Sequence, residues 1–236
     1  MKKLIATMPE RKKRVEDLLR DLDDCEIVDA VIGKHLDLEL LELLGIYDPE
    51  FRKEKGLRQM TPGEVGCMLS HYKMWLTVIE RGYEEVICLE DDVSPSTENW
   101  EDRLAELLVD VEWDMVHLHS NRLDNNPNNL ERRKIKRGLY TAHKEGGGTL
   151  GVAYSRRAIE WLVDKSKPVR RPSDGITNWP SSPHAAGQLK VFVTVPYLVD
   201  VDESCRSTIG GRMNGPPGEA RFTQNFCRPL DGTMDE

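Results

Sequence analysis

The sequence predicts an α/β protein built on an open sheet, and three observations predict it. An apolar strand, a helical repeat and a β-branched strand follow one another over residues 2–32, the order of a βαβ unit. A capped helix beginning at Thr61 then leads into a short apolar strand, residues 86–89. That strand ends in three consecutive acids, Glu90, Asp91 and Asp92. Open α/β sheets bind ligands at the carboxyl ends of their strands, so these acids lie where a cation and a phosphorylated substrate could meet.

The elements follow in order. Residues 2–6 form a strand that Pro9 breaks, and Val15, Leu18, Leu19 and Leu22 repeat with helical spacing over residues 11–22. Residues 25–32, CEIVDAVI, form a second strand bounded by Gly33. Residues 36–44 read as a leucine-rich helix closed by Gly45, and residues 48–60 as a charged connection. Thr61, Pro62 and Glu64 form a capping box with proline at the first helical position, so a helix starts there. On it Met68, Tyr72, Trp75, Leu76 and Ile79 share one face and are expected in the core. Gly82 ends this helix, and the strand and the acids follow.

Residues 99–108 read as a helix and residues 114–119 as a strand with His117 and His119 on one side. Residues 121–136 are polar and rich in asparagine, a loop. Residues 146–155 form a glycine-opened strand and residues 156–165 a helix. Residues 168–187 contain Pro168, Pro172, Pro180 and Pro183 and read as irregular, whereas residues 189–201 are strand-rich. The organisation is one catalytic domain, residues 1–209, with a tail or lid from residue 210 to 236.

Composition narrows the function. A formal charge of −8 argues against general nucleic-acid binding, which depends on phosphate neutralisation by Lys and Arg. The basic run at residues 132–137 reads as a solvated face, while Arg11 to Arg14 follows a strand end and faces the expected site. The apolar runs have strand length, so no membrane span is expected, though peripheral membrane contact stays open. The N-terminus has too few apolar residues for a signal peptide, and the chain is expected to begin here and remain cytoplasmic. Five cysteines without a CxxC pair suggest neither a disulfide framework nor a zinc site. Cys67 and Cys88 are expected in the core.

Adjacent carboxylates repel one another unless a cation or hydrogen-bond donors compensate them. Mg²⁺ or Mn²⁺ is held by one or two carboxylates plus substrate phosphate oxygens, which a strand-end Glu-Asp-Asp could offer to a nucleoside diphosphate. The alternative is an acidic turn capping the next helix.

The block GEVGCMLSHYKMW (63–75), followed by VICLEDDV (86–93), resembles glycosyltransferase family 25, which contains lipopolysaccharide and collagen-type galactosyltransferases. MPERKKR (8–14), GGGTLGVAYSRRAIEWL (146–162) and RPSDG (171–175) resemble further family segments in the same order, so the likeness runs from about residue 3 to about residue 175. Two positions depart from the family pattern: Thr7-Met8 replaces asparagine-leucine, and Ser173 replaces the valine before Asp174.

The resemblance implies a GT-A, Rossmann-like nucleotide-sugar fold with a mixed sheet. It implies metal-assisted, inverting transfer of a sugar, with galactose favoured, from a UDP-sugar to a hydroxyl of a glycan or glycoconjugate. A lipopolysaccharide or other surface glycan is the favoured acceptor. Asp92, with Asp91 or Glu90 nearby, would hold Mn²⁺ (or Mg²⁺) against the diphosphate, and Asp174 would be the base. Thr7, Met8, Pro9, Arg11 and Arg14 would form the donor loop. Ser70, His71 and Thr149 are further donor-site candidates, each with a structural alternative. His184, Asp200, Asp202 and Glu203 compete as a third metal ligand, with Asp202 in the better neighbourhood. Two other readings stand beside this one: a metal-dependent phosphohydrolase, which lacks a DxDxT nucleophile motif, and a catalytically silent sugar-binding relative.

Overall fold

The computed structural model describes residues 1–19, 22–120, 133–142, 148–179, 187–202 and 204–205. The expected tail, His184 and Glu203 lie outside the described residues.

The first strand, β1 (Lys2–Thr7), pairs in parallel with β2 (Cys25–Asp29) on one side and β3 (Glu85–Glu90) on the other. Between β1 and β2 the chain passes through a 3₁₀ turn (Pro9–Arg11) into helix α1 (Lys12–Leu18). Pro9 therefore starts a turn of helix, consistent with its fixed φ. The expected strand over 25–32 ends early, at Asp29, and a 3₁₀ turn (Gly33–His35) precedes α2 (Leu38–Leu43).

The connection expected at 48–60 contains a helix, α3 (Pro49–Glu54), whose N-cap Asp48 accepts from the Phe51 amide. An N-cap acid followed by proline was the sequence signal for it. Helix α4 (Pro62–Arg81) has the full capping box at Thr61 and Glu64, and Gly82 closes it with φ +69°. Met68, Tyr72 and Trp75 are buried and Ile79 packs at the core margin, but Leu76 is 41% exposed. The buried face is completed instead by Val65, Met74 and Val78.

After β3 come β4 (Val93–Pro95), α5 (Trp100–Leu108), β5 (Met115–His117), β6 (Lys134–Lys136) and β7 (Leu139–Thr141). Thus part of the expected polar loop and basic run is the sheet-edge strand β6. Then follow β8 (Gly151–Ser155), α6 (Arg156–Lys165), α7 (Ser173–Thr177), β9 (Val191–Thr194) and β10 (Val199–Val201). Helix α7 interrupts the stretch expected to be irregular.

The main sheet has the order β2-β1-β3-β8-β5-β9-β7-β6 and is mixed: β8 runs antiparallel to both β3 and β5. A second sheet pairs β4 with β10. One apolar cluster, including Trp75, Tyr154 and Leu162, joins α4 and α6 to one face of the main sheet. The other, including Val15, Trp100 and Leu104, joins α1 and α5 to the opposite face. This α/β mixed-sheet architecture is the fold class expected from the sequence, and it brings the ends of β1 and β3 side by side through the Ala6–Glu90 register.

Candidate functional site

The site is built on three neighbouring structures: the turn after β1, the acid triplet ending β3, and the β4–β10 pair. Thr7, at the last position of β1, donates its hydroxyl to Asp91 Oδ2 at 3.1 Å, and Arg11 donates to Asp91 Oδ1 at 2.6 Å. Met8 forms the turn by accepting the Arg11 amide through its carbonyl at 2.9 Å, with Pro9 between them. One turn further on, Arg14 spans the site: its Nε donates to the Asp91 carbonyl at 2.9 Å and its Nη1 to Asp202 Oδ2 at 2.6 Å. The donor-loop residues and acids expected from the sequence are thus brought together, and Asp91 and Asp202 each have a cationic partner.

Asp92 differs. The Asp202 amide donates to its carbonyl at 2.7 Å, placing the two residues side by side, but its buried Oδ1 has no hydrogen-bond partner among the described residues. Burial, reinforced by the charges of Glu90 and Asp91, pushes its carboxyl up to about 6. The triplet is therefore divided: Asp91 is held by side-chain donors, whereas burial and its acidic neighbours disfavour the charged form of Asp92. Asp202, whose carboxylate accepts from Arg14 and from the Ser204 amide, is joined to Asp92 through the backbone.

Glu90 turns toward α4 and β8. Its Oε1 meets His71 Nε2 at 3.2 Å and accepts the Thr149 hydroxyl. Burial by itself raises the Glu90 carboxyl, but the His71 and Thr149 contacts hold it below the usual carboxylate range. For His71, burial by itself lowers the imidazole, yet the Cys67 and Glu90 partners outweigh it and raise it to about 10. Its Nδ1 is buried and unpartnered among the described residues. Thr149 also meets Ser173 Oγ at 3.2 Å, and Ser173 Oγ lies 3.4 Å from Cys67 Sγ. Cys67 accordingly faces a polar cluster and is only half-buried, not the core residue expected.

Asp174, the residue expected as base, follows Ser173 in the first turn of α7, where its charge bears on Arg52 and Arg58. Ser70 does not join the acids. It accepts the Val31 amide at 2.8 Å, donates to the Gly66 carbonyl at 2.8 Å, and anchors α4 to the loop after β2. His119 lies beyond β5 with its ring 4.8 Å from that of Tyr197 and its Nδ1 3.6 Å from Asp200 Oδ1, on the β10 side of the site. Sequence reasoning missed Cys67 and Ser173. The signal for Cys67 was its four-residue spacing from His71, which stacks the two on one helix face. Ser173 had no comparable local signal.

An acid cluster at a strand end beside a basic strand-to-helix turn lies where open α/β proteins place their ligand sites, at the carboxyl edge of the sheet. The sequence matches glycosyltransferase family 25 (LPS biosynthesis protein) over residues 5–177, and the chain belongs to that family. Curated relatives include an inactive glycosyltransferase 25 family member 3 of Homo sapiens, 34% identical over 71% of this chain and 28% of its own length. Procollagen galactosyltransferase 2 of Homo sapiens is 33% identical over 50% of this chain and 20% of its own. The chain therefore spans less than a third of the length of these relatives. The solved galactosyltransferase LgtC, in complex with donor and acceptor sugar analogues, aligns over 75% of this chain and 69% of its own at 12% identity, with a TM-score of 0.33.

Proposed function

We propose that this chain is a metal-dependent glycosyltransferase that moves a sugar, galactose in the first instance, from a UDP-sugar to a hydroxyl of a glycan or glycoconjugate with inversion. The observation that carries the reading is Asp92: a buried carboxylate oxygen without a partner, at a strand end, beside two further acids and Asp202. Asp92 and Asp202 would hold Mn²⁺ or Mg²⁺, which supplies charge neutralisation for the departing diphosphate.

The chain's own residues do the rest. Arg11 and Arg14 fix Asp91 and Asp202, so the acids keep their geometry without the diphosphate and the guanidinium groups border it when it binds. Thr149 and His71 hold Glu90 against α4, keeping the strand end in register with α7. Asp174 would take the proton from the attacking acceptor hydroxyl. A hollow of about 610 Å³ between α3, the end of α6 and α7, lined by Phe51, Met68, Arg171, Ile176 and Trp179, is the acceptor side in this reading, since α7 borders it and carries Asp174.

A second reading, a silent relative that binds nucleotide sugar without turnover, is favoured by one observation: relatives at 34% identity are described as inactive. Transfer of radiolabelled galactose from UDP-galactose to an acceptor panel, with Mn²⁺, separates the two. The transferase reading expects turnover that falls at least about 100-fold in Asp92→Asn. Donor binding without any transfer supports the silent relative, and equal turnover in both proteins overturns the metal assignment.

A further inference from the structure

Beside the acid triplet lies a group with different chemistry. Cys67 and His71 project from successive turns of α4, and Glu90 meets them from the end of β3. The Cys67 sulfur, one ring nitrogen of His71 and one Glu90 oxygen all lie within 4.8 Å of one another. We propose that Cys67, His71 and Glu90 form a zinc site, separate from the oxygen-rich Asp92 position and completed by the Ser173 hydroxyl.

The distances carry the inference. Zinc bonds of about 2.0–2.3 Å in a tetrahedron put neighbouring ligand atoms about 3.3–3.6 Å apart. His71 Nε2 and Glu90 Oε1 are 3.2 Å apart, and Cys67 Sγ and Ser173 Oγ are 3.4 Å apart, so two edges of the tetrahedron already have nearly that length. The widest separation in the protein-ligand triplet has to close by only about 1 Å. Thr149, which bonds both Glu90 and Ser173, supplies the surrounding hydrogen bonds that hold ligands in place. Glu90 keeps 29% of its side chain exposed, which gives an ion a way in.

Ligand type sets the metal. A thiolate with an imidazole and a carboxylate suits Zn²⁺, whereas Mn²⁺ and Mg²⁺ prefer oxygen alone. On binding Zn²⁺, Cys67 and the His71 nitrogen that faces Glu90 coordinate in their deprotonated forms, and the protons they release pass to solvent. The bound ion ties α4 to the end of β3 and, through Ser173, to α7.

Co²⁺ titration of the purified chain tests this directly, because a thiolate bound to Co²⁺ gives a charge-transfer absorption that oxygen and nitrogen ligands do not. The expected result is a one-equivalent rise of that band with tetrahedral visible absorption, displacement by one equivalent of Zn²⁺, loss in Cys67→Ser, and retention in Asp92→Asn. Absence of the band in the wild-type chain overturns the proposal whatever the variants do. So does a band that survives Cys67→Ser, which would place the thiolate at Cys25, Cys88, Cys205 or Cys227, or one that disappears in Asp92→Asn, which would make the two positions a single site.

Discussion

Asp91 and Asp92 are adjacent in sequence and opposite in circumstance, and pH separates them. The folded protein holds the Asp92 carboxyl at about 6 against an ordinary value of 3.8, so its protonated form favours the fold. That contribution is present below about 3.8 and is lost as pH rises through about 6. His117 acts in the opposite sense: burial holds it at about 4 against 6.5, so its contribution is present above 6.5 and lost as pH falls through about 4. Comparing Asp92→Asn with wild type cancels the His117 effect. Without metal, the variant is expected to have the higher Tm at pH 7, with the gap closing toward pH 4. A gap independent of pH would contradict the assignment of Asp92 as the strained acid. The triplet itself was legible in the sequence. Its division was not, because Thr7 and Arg11 reach Asp91 from 84 and 80 residues away.

Among the elements, α4 controls the site because it carries Cys67 and His71 and is pressed onto the loop after β2. A Cβ on Gly66 would lie 2.7 Å from both Gly33 N and Val31 O, contacts that backbone atoms cannot relieve by rotating. Gly66→Ala is therefore expected to cost roughly 1–3 kcal/mol by overpacking, measured by urea denaturation. Unchanged stability would mean that α4 is not seated as described. Local chemistry made α4 readable, since its capping box and αL glycine are contained in a few residues. Helices α3 and α7 escaped because each is short and sits in a charged or proline-rich stretch, although Asp48-Pro49 marked the first. Strands β6 and β7 have three residues each, too few to establish a period, and exist through pairing with one another and with β9.

At the scale of the molecule, the βαβ opening and the strand-end acids made the α/β class readable, and the ordered family segments named its kind. The antiparallel insertion of β8 between β3 and β5 was not readable, because strand direction is settled by pairing between distant segments. That insertion brings Thr149 to Glu90 and, with it, α7 to the acids. On the proposed reading, this assembly binds a nucleoside diphosphate through a cation at Asp92. Calorimetric titration of UDP into the chain, with and without Mn²⁺ and in wild type and Asp92→Asn, tests it most directly. Saturable binding of one UDP that requires Mn²⁺ and weakens at least about 10-fold in the variant is expected, since loss of even an outer-shell partner costs that much. Binding of UDP with equal affinity in both proteins, or without any dependence on Mn²⁺, would contradict it.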